Sequence, residues 1–186
     1  MAHIKGLVLL SRFEYLEFLH GPKLYKEFLK KISTIEQNFA RQPVDGANFY
    51  SENTLARIDQ ILLQDYFDSD IEEFRKLGEW SAQNLMDKYF NLYAESQKPV
   101  EFLEQFARLR IYLIGSGEMS VLSDNKNSLL VIIDYGQNVP RSVCLSEQGF
   151  ISGGMHGCGA KEVKIVEEAC ASTPDCFECK LRIKYK

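Results

Sequence analysis

The chain changes character near Gly115, and that change most constrains what it can fold into. Before this point apolar residues recur at spacings of three and four. Beyond it, eight of the twelve glycines fall between Gly115 and Gly159, and short β-branched segments replace the helical stripe. Helices first and strands last predict an α+β fold: an N-terminal helical half (1–116) packed on a small C-terminal antiparallel sheet (117–186) that carries a crossover helix, all in one domain. With 186 residues, 45% hydrophobic and 26% charged, the chain is long enough to bury a core and too apolar for wholesale disorder.

Apolar residues from Ile4 to Leu19 mark a first helix, and Gly21-Pro22 breaks it. Leu24, Tyr25, Phe28, Leu29 and Ile32 continue the period in a second helix packed back on the first. Turn chemistry at Pro43, Asp45 and Gly46 follows, and Ser51 or Asn53 is placed to cap a helix reaching about Tyr66. The clearest stripe, Ile71, Phe74, Gly78, Ala82, Leu85, Tyr89 and Tyr93, predicts a helix over 70–93, with Trp80 and Phe90 near its opposite side. Phe102 to Ile114 gives one more helix, ended by Gly115-Ser116-Gly117. Strands are expected at 129–133, 162–166 and 181–185, and a short helix or glycine-rich crossover at 146–157.

A net charge of -4 provides no basic footprint for a polyanion, so nucleic acid is not the expected partner. No apolar run is long enough to span a membrane or to serve as a signal-peptide core, and the expected location is the cytoplasm. Neither a Walker-type phosphate loop nor a dinucleotide fingerprint is present, and adjacent acids such as Glu72-Glu73 point apart.

Five cysteines, without a secretory signal, read as thiols or metal ligands rather than a disulfide framework. Cys144, His156, Cys158, Cys170 and Cys176 form the candidate ligand set, and soft thiolates with an imidazole suit zinc. Cys176 and Cys179, three apart, would face opposite ways in a regular strand, so a shared metal requires the first to lie in the turn. Cys170 and Cys176 flank an expected hairpin turn, and facing each other across it they would suit a metal pair or a disulfide equally well. The alternative is that several are buried small apolar residues. A nucleophilic cysteine needs a base, and His156 two residues from Cys158 is awkwardly placed, so catalysis is not expected.

A layer of helices on a sheet can leave a slot for a flat apolar molecule. Phe74, Trp80, Tyr89, Phe106 and Tyr112 are the candidate walls, although aromatic residues at helical spacing are core first. Arg110, on the same apolar helix, would receive a carboxylate of the ligand; snorkelling to solvent is the simpler alternative.

Ile4-Lys5-Gly6-Leu7-Val8-Leu9-Leu10, leading through Phe18 to Gly21, is similar to the opening of the heme nitric-oxide/oxygen-binding (H-NOX) domain and of a related bacterial family. Cys144, Gly149-Phe150-Ile151, Val163 to Glu168, Cys170 and Asp175-Cys176-Phe177 resemble the 4-vinyl reductase domain pattern, a crossover helix before a terminal hairpin with a cysteine on each side of its turn. This resemblance implies a small-molecule-binding sensory domain, often dimeric and not catalytic by itself, with Cys144, Cys170 and Cys176 as zinc ligands and His156 or Cys158 added. Heme is not expected, because no histidine occurs between Gly21 and Met155 and a Y-x-S-x-R pattern is absent. The expected function is thus a sensory module that binds a hydrophobic or aromatic molecule and signals through an effector protein. Its rival is a homodimeric interaction subunit, joined through Trp80 and Phe90, whose slot is filled by its own side chains.

Overall fold

The computed structural model describes residues 3–35, 39, 43–89, 98–125 and 127–186, with only the backbone at 35, 86–89 and 124. In chain order these form β1 (His3–Lys5), α1 (Gly6–Ile35), β2 (Phe49–Ser51), α2 (Glu52–Asp65), α3 (Glu73–Tyr89), α4 (Pro99–Leu113), β3 (Glu118–Asn125), β4 (Ser128–Asp134), α5 (Arg141–Gly157), β5 (Lys164–Ala169) and β6 (Glu178–Lys184). The mixture of helices and small antiparallel sheets is the expected α+β class. Two compact units divide the chain: residues 1–70 with 113–115, and residues 71–112 with 116–186.

In the first unit α1 kinks at Gly21 (φ 78°, ψ 173°), followed by Pro22, where the sequence predicts the break. Leu9, Phe13, Leu16, Phe28, Ile32, Ile58 and Leu62 are buried together with the Arg12–Asp59 ion pair, in which Nε and Nη2 donate to separate carboxylate oxygens at 2.5 and 3.2 Å. Ser51 caps α2 by accepting the Asn53 N–H at 3.1 Å.

In the second unit the strands run antiparallel in the order β3-β4-β6-β5. Alternation sets the inner face: Leu129, Val131 and Ile133 of β4 stand opposite Ile183, Leu181 and Cys179 of β6, and all six are buried. Helix α5 is buried along most of its length. Helix α3 crosses it at backbone contact, since a Cβ at Gly78 would lie 2.0 Å from the Ser146 carbonyl oxygen and one at Gly149 would lie 1.9 Å from that of Arg75. Helix α4 runs alongside α5 in the opposite direction, pairing Phe102 with Gly154, Phe106 with Phe150 and Arg110 with Glu147.

Several boundaries differ from expectation for local reasons. Asp68 and Ser69 take positive φ (48° and 61°), which delays α3 to Glu73, and Glu162 (φ 50°) does the same for β5. Helix α5 begins at Arg141, directly after Pro140, five residues ahead of the predicted start. Strand β3 lies outside the predicted strands; its sequence, EMSVLSDN, is largely polar and leaves Leu122 exposed, so alternation is weak. The predicted extension of α3 through Phe90 to Tyr93 falls outside the described residues.

Gly149→Ala should destabilise the protein by about 3 kcal/mol, because a backbone carbonyl cannot swing aside as a side chain can. Gly136→Ala, with φ +67° and no atom within 4 Å, should cost only the left-handed strain of about 1 kcal/mol. Urea unfolding of the two variants measures this difference.

Candidate functional site

Because α5 is enclosed, its polar side chains must find partners inside. Glu147 sits near its middle, 5% exposed, and holds two donors: Arg110 Nε at 3.0 Å on one carboxylate oxygen and the Tyr135 hydroxyl at 2.7 Å on the other. Arg110, 1% exposed, also donates from Nη1 to the Ser116 carbonyl at 3.0 Å, and its guanidinium carbon lies 4.8 Å from the Tyr135 ring centroid. Its Nη2 has no hydrogen-bond partner; Ser81 Oγ is the other such buried side-chain atom among the described residues. Tyr135 holds its proton well above the ordinary phenol range, chiefly because burial disfavours the phenolate and then because Glu147 is negative beside it.

An aromatic cluster adjoins these groups one turn away. Phe106 lies 4.6 Å from Phe150 between ring centroids, and Phe102 lies 6.2 Å from each. Phe102 and Phe150 are half-buried, so the cluster reaches the surface. Of the predicted ligand residues, Phe106 and Arg110 meet here. Phe74 is fully buried core, Trp80 is half-buried, Tyr112 is 68% exposed and so lines no interior slot, and the Tyr89 side chain lies outside the described residues. Arg110 does not snorkel, because Glu147 gives its charge an internal partner. Glu147, Tyr135, Phe102 and Phe150 are additions that the sequence reading missed. An acid flanked by Leu145 and Phe150 on a glycine-rich segment was the signal available for Glu147.

At the other end of α5, the sulfurs of Cys144, Cys170 and Cys179 all lie within 4.8 Å of one another, and all three residues are buried. Cys144 and Cys179 touch at 3.4 Å. Their contact splits the pair. The hydrogen bond to Cys179 and then burial push the Cys144 thiol far up, while the same bond and the Ala171 N–H, 3.3 Å from its sulfur, bring Cys179 down. Arg141 Nη1 donates to Cys170 Sγ at 2.8 Å and to both Glu167 carboxylate oxygens at 2.8 and 2.7 Å, and Gln148 also donates to Glu167. Three convergent sulfurs are a partial donor set for zinc.

The expected ligand set is therefore corrected in part. Cys144 and Cys170 converge, but with Cys179 in place of Cys176. Cys176 lies in the turn and donates its thiol hydrogen to the Glu178 carbonyl at 3.2 Å; His156 is exposed; Cys158 is buried outside the cluster, its thiol pushed up by burial. Period two would have found Cys179, which continues inward from Ile183 and Leu181.

No protein-family model and no curated protein matches this chain. Solved structures do. It superposes with a TM-score of 0.76 on an H-NOX protein from S. oneidensis in the Fe(II)NO ligation state, at 17% identity over 98% of this chain and 99% of that one. An oxygen-binding H-NOX domain related to soluble guanylate cyclases, in its oxygen complex, matches with a TM-score of 0.76 at 16% identity, over 98% of this chain and 95% of that one. The same values hold for a structure that probes heme distortion in the H-NOX family. The fold is H-NOX-like. Nor is any helix among the described residues long and apolar enough to cross a membrane.

These likenesses overturn the expectation against heme, which rested on sequence motifs alone: the fold is one in which those proteins hold heme. An imidazole-ligated iron does not fit the residues present, since His3, His20 and His156 are all exposed.

Because the folded state keeps the Tyr135 proton while the unfolded chain releases it near pH 10, this tyrosine's stabilisation is complete below pH 10 and lost above it. Stability should fall by about 1.4 kcal/mol per pH unit there on its account. Tyr135→Phe should remove that slope, at a cost of about 1–3 kcal/mol at neutral pH for the lost bond to Glu147. Chemical denaturation at stepped pH measures both.

Proposed function

We propose that the chain is a small-molecule-binding sensory module similar to the 4-vinyl reductase domain, which takes a flat apolar ligand at the Phe102–Phe106–Phe150 cluster next to Arg110 and does no chemistry of its own. The observation that carries this reading is the unpartnered Nη2 of a fully buried arginine, one helical turn from rings that reach the surface. The H-NOX-like fold agrees, as do the spacings of Cys144, Gly149-Phe150-Ile151 and Cys170 that resemble the 4-vinyl reductase pattern. Such a module works in the cytoplasm through an effector protein, and the exposed Leu109, Ile111 and Tyr112 offer that partner, or a second copy of the chain, an apolar face.

A structural zinc is the second element of the proposal, favoured by the convergence of Cys144, Cys170 and Cys179, with water as the fourth donor. The metal would tie the start of α5 to the β5–β6 loop and to β6, adding its binding free energy to folding.

Native and denaturing mass spectra of protein purified without added metal or chelator test both parts. An organic mass lost on denaturation supports the sensor and supplies its ligand, a heme-sized mass with a Soret band identifies heme, and an empty pocket with a bare dimer favours the interaction subunit. Zinc should be lost in Cys144→Ser, Cys170→Ser and Cys179→Ser and kept in Cys158→Ser and Cys176→Ser. Stoichiometric zinc in Cys144→Ser/Cys179→Ser would exclude that site.

A further inference from the structure

The carboxylate expected at Arg110 is already present, and it belongs to the protein. Glu147 takes the Nε hydrogen bond at 3.0 Å, both side chains are almost wholly buried, and the pair is charge-neutral. The other Glu147 oxygen is engaged by the Tyr135 hydroxyl and Nη1 by the Ser116 carbonyl, so the open valence of the cluster is a donor, Nη2. An anion placed there would put a second negative charge beside one cation in a dry interior, and its desolvation would go uncompensated. An uncharged acceptor oxygen satisfies the orphan N–H and leaves the pair neutral. The rings of Phe106 and Phe150 lie one helical turn from Arg110 and Glu147 and supply the apolar surface for the body that carries this oxygen.

We infer that Arg110 Nη2 is a subsite for an uncharged carbonyl or hydroxyl oxygen on a flat apolar ligand, and that Glu147 sets this preference by neutralising Arg110. The inference rests on the small-molecule reading above and names the chemistry of its ligand. Glu147 is a specificity-determining residue that touches no ligand, and removing its charge should invert the selectivity rather than merely weaken binding.

Calorimetric titration of the full chain with three probes of one shape tests this: acetonaphthone, an uncharged ketone; naphthoate, an anion; and ethylnaphthalene, with no acceptor. The wild-type protein should bind the ketone roughly tenfold more tightly than either other probe, the worth of one buried hydrogen bond. Glu147→Gln should turn the preference towards naphthoate by about tenfold or more, again the scale of one such bond. Should that variant fail to fold, Arg110→Met/Glu147→Gln removes both charges, and in it the ketone should keep no advantage over ethylnaphthalene. Equal wild-type binding of ketone and naphthoate overturns the inference, as does a ketone advantage that survives in the double variant. Equal binding of ketone and ethylnaphthalene overturns it while upholding the apolar site, whereas binding of none of the three overturns the small-molecule reading itself.

Discussion

The second unit depends on the approach of α3 to α5 through Gly78, Gly149 and Gly153. With Cβ positions blocked by backbone at 2.0, 1.9 and 2.7 Å, the two helices meet along their peptide groups and neither can rotate without collision. That contact fixes the azimuth of α5, and α5 supplies one side of everything else. Cys144 turns towards the sulfurs of Cys170 and Cys179, Glu147 towards Arg110, and Phe150 towards Phe102 and Phe106. A helix free to roll by one residue, about 100°, would lose all three at once. The glycines are thus positioning elements for groups they never touch.

A buried ion pair rarely stabilises a fold more than apolar groups of the same size, because both ions must leave water. Breaking one is another matter, at about 3–5 kcal/mol, because the survivor stays buried and uncompensated. The Arg110–Glu147 pair therefore acts as a constraint on packing: a state of the second unit that separated α4 from α5 at this level would strand two charges. Tyr135 enforces the same arrangement from the sheet side, with its hydroxyl on Glu147 and its N–H on the Phe177 carbonyl at 2.9 Å. Asn138 holds the intervening loop, its amide nitrogen within 2.7–2.9 Å of the Ala171, Thr173 and Cys176 carbonyls.

What can be read from the sequence follows from how locally each feature is encoded. The kink at Gly21-Pro22 and the cap at Ser51 depend on neighbouring residues and are legible, as are the long stripes of α2, α3 and α4. The three-residue strands β1 and β2 are too short to leave a period, and β3 takes its place from pairing with β4 rather than from its own alternation. Arg110 and Glu147 lie 37 residues apart, and nothing near either one announces the other; only the antiparallel course of α4 along α5 joins them. Cys179 escapes for a different reason. A hairpin turn symmetrical about Cys170 and Cys176 selects the wrong thiol, whereas alternation back from Ile183 places the inward cysteine at the start of β6.

The sulfur cluster and the buried ion pair lie close together along α5. Cys144 and Glu147 are three residues apart, on adjoining turns of α5, and Ile133, two before Tyr135, is the register partner of Cys179. Tyr135 thus sits at the end of β4 with its ring under Arg110, its hydroxyl on Glu147 and its backbone tied to the loop that leads into β6. Burial first, and then the negative charge of Glu147, hold the proton on this phenol. Metal binding at the sulfur cluster would require its deprotonation, and the bound cation would balance the negative charge so created. Both clusters belong to the packed interior that the glycine contact between α3 and α5 holds in place.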